Sequence, residues 1–111
     1  MITVSKINSR YNRISSFIST GKVKDALEEL RELVSVSGYG DYFTHLEYAE
    51  STYEQMLKYM LEGVNDPQRD KVYNKLLISI LVLADQVRAS LLEKYSGWHT
   101  YTLKQDLSRK Q

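Results

Sequence analysis

Residues 76–84 read LLISILVLA, so eight of these nine consecutive positions are apolar. On an α-helix this run covers every side for more than two turns, and a helix that is apolar all round has to be buried all round. The run is far shorter than the roughly 20 residues that span a bilayer. We therefore expect a helix that is covered on all sides, either by the rest of this chain or by something outside it.

Four segments of the chain show apolar residues at helical spacing. They predict helices over about 6–18, 22–36, 41–62 and 67–96. No alternating apolar and polar run is long enough to indicate a strand. The predicted fold is all-α, a four-helix antiparallel arrangement of two helical hairpins.

The same spacing predicts which residues face the core and where the helices begin. Ser5 and Asp41 are the predicted N-caps of the first and third helices, and Asp66 followed by Pro67 predicts the start of the fourth. The predicted inward residues are Ile7, Tyr11, Ile14 and Phe17 or Ile18; Val23, Ala26, Leu27, Leu30, Leu33 and Val34; Tyr42, Leu46, Ala49, Tyr53, Met56 and Met60; and Tyr73, Leu77, Ile80, Ala84, Val87 and Leu91.

Two arrangements could cover the apolar run. In the first, the fourth helix is central and the other three wrap around it. In the second, Ile78, Leu81 and Val82 stay uncovered by the chain and form an interface, because soluble monomers seldom expose a large apolar patch. That interface would be with a second copy, giving a homodimer, or with the remainder of a longer chain.

Tyr48 and Tyr59 are further interface candidates. They lie eleven residues apart on one flank of the third helix, away from its inward series. Tyrosine suits partly hydrated contact surfaces because it joins a large apolar ring to a polar tip. The alternative is that both rings lie against a neighbouring helix with their hydroxyls in water.

The composition excludes several classes of protein. The chain has no cysteine, and therefore no disulfide, thiolate nucleophile or cysteine zinc site. The first thirty residues lack the run of about 7 to 15 apolar residues that marks a secretion signal. Nowhere do about 18 apolar residues, enough to span a membrane, occur together. We expect a cytoplasmic protein with one helical domain over residues 1–97. Residues 98–111 would be a tail or the start of a following segment of a longer chain.

The histidines and acidic residues give no recognisable catalytic, cofactor or metal site. Asp41 and His45 are four residues apart, which is ordinarily a surface pair. Glu47, Glu50 and Glu54 have helical spacing but lack the histidine three residues after a glutamate that di-metal bundle sites use. We therefore expect a protein that is not an enzyme and that needs no cofactor.

A basic flank on the first helix supports an alternative function. Lys6, Arg10 and Arg13 line one side of that helix and could follow nucleic-acid phosphates. The net charge of +1 conceals +5 over residues 1–24, −8 over residues 25–66 and +4 thereafter. Such alternation favours helices with complementary faces over a polyanion-binding surface. The acidic residues Glu28, Glu29 and Glu32 of the next helix are therefore expected to offset or pair with these cations.

Residues 7–40 resemble a single helical hairpin of the tetratricopeptide type. The resemblance rests on Gly21 in the turn and on the segment GKVKDALEEL, in which Ala26 matches the small residue that allows close packing. In that family, stacked hairpins form surfaces that bind peptides or proteins. The whole chain also resembles the helical N-terminal region of larger uncharacterised bacterial proteins, which implies no activity. Together, these features predict a helical protein–protein interaction or scaffolding domain.

Overall fold

The computed structural model describes residues 3–63 and 68–95, which form four α-helices and contain no strand. The helices are α1 (Val4–Ser19), α2 (Val23–Ser37), α3 (Gly40–Leu61) and α4 (Gln68–Tyr95). The all-α prediction is confirmed, and each predicted boundary lies within two residues of the observed one. None of the four helices in the described residues combines the length and the apolar composition of a membrane-spanning segment. The predicted cap at residues 66 and 67 and the segment 98–111 lie outside this part of the chain.

Two of the predicted helix caps are wrong. Thr3, rather than Ser5, caps α1, because its side-chain oxygen accepts a hydrogen bond from the backbone N–H of Lys6 at 3.2 Å. Helix α3 begins one residue before Asp41, so this carboxylate lies in the first turn, where it still complements the helix dipole. Its N-cap position is held by Tyr39, whose side chain makes no capping bond.

A buried serine forms hydrogen bonds at the connection between α2 and α3. The Ser37 hydroxyl donates to the carbonyl oxygen of Val34 at 2.6 Å and accepts from the backbone N–H of Tyr39 at 3.3 Å. Ser37 is 2% exposed, so these bonds satisfy a polar group that would otherwise be costly to bury. The serine therefore joins the end of one helix to the start of the next.

The centre of the bundle is shared by α2 and α4. Each of them contacts all three other helices, whereas α1 and α3 lie on opposite sides of this pair and do not contact each other within the described residues. Leu30 of α2 and Ile80 of α4 are both fully buried. The fourth helix is therefore central, as one interpretation predicted, but it is not the only central element.

Ion pairs between successive helices give their direction and register. Arg10 of α1 binds Glu29 of α2, and Arg31 of α2 binds Glu50 of α3. In each pair, one residue lies about two to three turns before the connection between the two helices and the other about two to three turns after it. These connections are at Gly21 and at Gly38 with Tyr39. Only antiparallel neighbours bring such residues together, so α1, α2 and α3 run up, down and up. Tyr42, near the start of α3, hydrogen-bonds to Ser90, near the end of α4, so α4 runs down.

The predicted inward series is confirmed except at one end of α3. All six inward residues of α2 are buried, and so are Leu46, Ala49 and Met56 of α3. Met60 is 55% exposed, which contradicts its predicted place in the core. The register of the Arg31–Glu50 pair places the start of α2 beside residue 58. Met60 therefore extends past the start of α2, which cannot cover it.

Candidate functional site

The side of α4 that faces away from the core exposes apolar residues. Ile78 is 61% exposed and Val82 is 50% exposed, and they lie one turn apart on the same stripe of the helix. Leu81, the third predicted interface residue of this run, is partly buried. The interpretation in which the other three helices enclose the whole run is therefore wrong for this side of α4. The chain leaves Ile78 and Val82 uncovered.

A groove of about 520 Å³ lies between α3 and α4, next to this exposed stripe. Its lining includes the buried residues Ala49, Leu76 and Leu83. Ala49 leaves space because its side chain ends at the β-carbon. The remaining lining residues are partly or fully exposed: His45, Tyr48 and Thr52 from α3, and Val72, Lys75, Ser79, Val82 and Gln86 from α4.

Two hydroxyl groups in the groove are satisfied by their own helices. Thr52 donates to the carbonyl oxygen of Tyr48 at 2.9 Å, and Ser79 donates to that of Lys75 at 2.8 Å. Both are bonds to the residue four positions earlier, a common way for serine and threonine to be accommodated in a helix. These hydroxyls are therefore already bonded, and the groove surface is more apolar than the sequence of its lining indicates.

Tyr48 of α3 and Val82 of α4 lie on the same surface. Its side chain is 77% exposed, and both residues line the groove. Tyr59, on the same flank of α3, is 44% exposed but lies outside the groove lining. The structure thus places Tyr48, Val82 and, one turn away, Ile78 around one surface. Tyr59 and Leu81 lie apart from it.

Comparisons with known proteins do not assign this surface to a family. No family model matches the chain, and neither the curated proteins nor the solved structures give a match. The function is therefore inferred from the residues of the molecule itself.

The basic flank of α1 is occupied by an acidic residue of α2. Arg10 donates to one carboxylate oxygen of Glu29 at 3.0 Å, and Arg13 donates to the other at 3.3 Å. Lys6 is exposed. Two of the three cations that could follow a phosphate backbone are therefore already bound to the same carboxylate, as the charge pattern predicted.

In the part of the chain that the structure describes, the titratable groups form no reaction centre. Within residues 3–63 and 68–95, no three histidine, aspartate or glutamate side chains are grouped so that they could hold a metal ion. His45 lines the groove and Asp41 is exposed. The hydrogen bond from Arg31 to Glu50, together with their charge interaction, raises the pKa of the Arg31 guanidinium above its ordinary value. This pair joins α2 to α3 and lies outside the groove lining.

Sequence reasoning did not find the groove, although a signal for it is present. Ala49 and Thr52 of α3 and Ser79 of α4 are small residues on facing flanks of two antiparallel helices. Small side chains at matching heights leave a channel between two helix surfaces. The prediction used only the apolar residues of each helix, and a groove that is lined by small polar residues does not appear in that pattern.

Proposed function

We propose that this chain is a protein–protein interaction domain and that its contact surface includes Tyr48, Ile78 and Val82. The single observation that carries this proposal is the exposure of large apolar side chains on both helices beside one groove. Burial of such side chains is the main favourable term in association between proteins. An isolated exposed apolar residue needs no explanation, but three that share one surface favour a contact site.

The surroundings of this surface fit a protein partner. Lys75 and Gln86 line the groove together with the apolar residues, and Asp85 is exposed on the adjoining side of α4. An apolar centre with a polar and charged edge is the usual anatomy of a protein interface. The ion pairs of Arg10 and Arg13 with Glu29 favour this surface over the α1 flank as the binding site.

A photo-crosslinking amino acid at position 48 tests the proposal. With p-benzoylphenylalanine replacing Tyr48 in the full chain, irradiation in the cells that make the protein is expected to give covalent adducts with protein. The double substitution Ile78→Ser and Val82→Ser should abolish these adducts, because it removes the apolar contact next to the crosslinker. Gel mobility and mass spectrometry measure the adducts, and circular dichroism verifies that the helices remain.

The matched controls lie on α1. The same crosslinker at Ser16, an exposed position on α1, should give few adducts. Val4→Ser, which alters a 40% exposed apolar residue of α1, should leave the adducts from position 48 unchanged. Equal crosslinking from positions 16 and 48, or adducts that persist after Ile78→Ser and Val82→Ser, would contradict the proposed contact surface.

A further inference from the structure

The exposed side of α4 carries a regular stripe of six residues. Their spacing alternates between four and three positions, which is the spacing of a coiled-coil seam. All six are exposed in the chain. We call this stripe the α4 seam, and it consists of Lys71, Lys75, Ile78, Val82, Asp85 and Ala89.

When two α4 seams are aligned in opposite directions, apolar residues face apolar residues and a cation faces an anion. Measured from residue 80, position 78 mirrors 82, position 75 mirrors 85, and position 71 mirrors 89. In two antiparallel copies, Ile78 of each copy would therefore contact Val82 of the other. These two equivalent contacts would form the centre of the interface. Lys75 would meet Asp85 of the second copy on either side of that centre, so cation would face anion.

We propose that two copies of this chain associate through their α4 seams in antiparallel orientation, about a two-fold axis at the level of Ile80. This inference rests on the proposed function and names the partner as a second copy. A two-fold contact uses the same patch on both chains, which is the commonest form of homodimer. The complementary positions of Lys75 and Asp85 favour a second copy over an unrelated partner.

The charges also select the antiparallel orientation. In a parallel pair each seam residue would face its own counterpart, so Lys75 would face Lys75 and Asp85 would face Asp85. Like charges directly opposite each other in a seam destabilise the pairing. The reversed orientation turns both repulsions into attractions and keeps the two apolar residues in contact.

The contacts within the chain leave Asp85 able to take part. Arg88 donates to one oxygen of the Asp85 carboxylate, Oδ1, at 3.0 Å. The Asp85 side chain is 58% exposed, and its second oxygen, Oδ2, takes no part in that bond. Arg88 is held in addition over the ring of Tyr11, 4.2 Å from the centroid. Arg88 can therefore keep its position while the second oxygen of Asp85 forms an ion pair with Lys75 of the second copy.

Charge reversal tests this geometry. The full chain is expected to self-associate at high micromolar concentration in sedimentation equilibrium. Lys75→Glu and Asp85→Lys, each made alone, should weaken the dimer about tenfold, because each places like charges together at two symmetric points. An equimolar mixture of the two variants should recover association, since every altered charge then faces an opposite one.

The matched control is Lys71→Glu. It makes the same change of charge at the end of the α4 seam, where the mirror position is Ala89 rather than an acid, and should leave the association unchanged. Circular dichroism verifies that all variants stay helical. Equal weakening by Lys71→Glu and Lys75→Glu would overturn the proposed pairing.

Cysteine pairing measures the orientation independently. The chain has no cysteine of its own, so introduced thiols report a single contact. Mixed under oxidising conditions, Ile78→Cys and Val82→Cys should form mainly the mixed 78–82 disulfide. A predominance of 78–78 and 82–82 disulfides would overturn the antiparallel arrangement.

The outcomes separate this inference from the proposed function. A chain that stays monomeric at high micromolar concentration overturns the dimer. If position 48 still crosslinks to a different protein in cells, the interaction domain stands and only its partner changes. If no adducts form from position 48 either, both proposals fail.

Discussion

Three consecutive residues of α2 show how single side chains determine the neighbours of a helix. Glu29 binds Arg10 and Arg13 of α1, and Arg31 binds Glu50 of α3 with an N–O distance of 3.1 Å from its Nε. Leu30, between them, is fully buried. Successive residues of a helix point about 100° apart, so the anion and the cation lie on opposite sides of the apolar stripe. Each side therefore has its own partner helix.

Removal of the Glu29 charge should weaken the fold in a salt-dependent way. Glu29→Gln is expected to lower the free energy of unfolding by about 1 kcal/mol at low salt, since two partly exposed ion pairs are lost. The loss should shrink at high salt, where the pairs of the parent protein are screened. Urea denaturation at both salt concentrations measures it.

The control for this substitution is Glu28→Gln. Glu28 is exposed and precedes Glu29 by one residue, so the change in net charge is the same. It should leave the unfolding free energy within about 0.5 kcal/mol of the parent value. If both variants lose the same stability at low salt, the loss reflects net charge rather than the two ion pairs.

At the scale of the helices, the two glycines beside the connection between α2 and α3 have different backbone conformations. Gly38 ends α2 with φ at +71°, in the left-handed region that side chains with a β-carbon disfavour. Gly40 begins α3 and does not have a positive φ. An added β-carbon would meet no atom within 4 Å at either position. Any difference between the two sites therefore comes from backbone conformation and not from space.

Alanine substitution should separate these two glycines. Gly38→Ala is expected to destabilise the fold by about 1 kcal/mol, because alanine must take the left-handed conformation. Gly40→Ala should be neutral or stabilise by up to about 1 kcal/mol, because it restricts the unfolded chain. Thermal and urea unfolding measure both. A similar loss at both sites would show that backbone conformation is not the deciding factor.

The helices were more predictable than the surface they form. In α2 every buried apolar residue was predicted, because this helix contacts all three other helices and its periodicity decides burial. Periodicity gives the direction of a side chain but not the length of the neighbouring helix, which is why Met60 was wrongly assigned to the core. For the same reason, the run at 76–84 could not show whether the other helices enclose all of its sides.

The candidate surface was predictable only in part. The sequence indicated Tyr48, Ile78 and Val82 because large apolar residues lay off the inward series. It gave no indication that Tyr48 and Val82 line one groove, since that depends on the register of α3 against α4. The α4 seam was also hidden, because Lys71, Lys75 and Asp85 look like ordinary surface charges until the exposed side of the helix is known.

At the scale of the whole molecule, one core joins all four helices. Leu30 and Ile80 are fully buried in the two helices that contact every other helix. A cavity at either position therefore loosens packing that all the helices share. We expect the fold to respond as a unit rather than hairpin by hairpin.

Cavity-forming substitutions test whether the four helices unfold cooperatively. Leu30→Ala and Ile80→Ala should each lower the unfolding free energy by roughly 2 to 5 kcal/mol. Each should keep a single transition that coincides in far-ultraviolet circular dichroism and tyrosine fluorescence. Leu61→Ala, at a side chain that is 88% exposed, is the control and should have little effect. Separate transitions for the two hairpins would contradict a common core.

The polar contacts on the two sides of α1 also decide which way the chain turns around the bundle axis. Four helices that run up and down can circulate clockwise or anticlockwise, and apolar packing alone distinguishes poorly between these mirror topologies. Arg10 faces α2, while the ring of Tyr11, on the other side of the apolar stripe, lies under Arg88 of α4. In the opposite circulation, the side of α1 that carries Arg10 and Arg13 would face α4 instead of α2. Glu29 of α2 would then be separated from both arginines. The handedness of the fold is thus encoded by a few charged side chains at its edges.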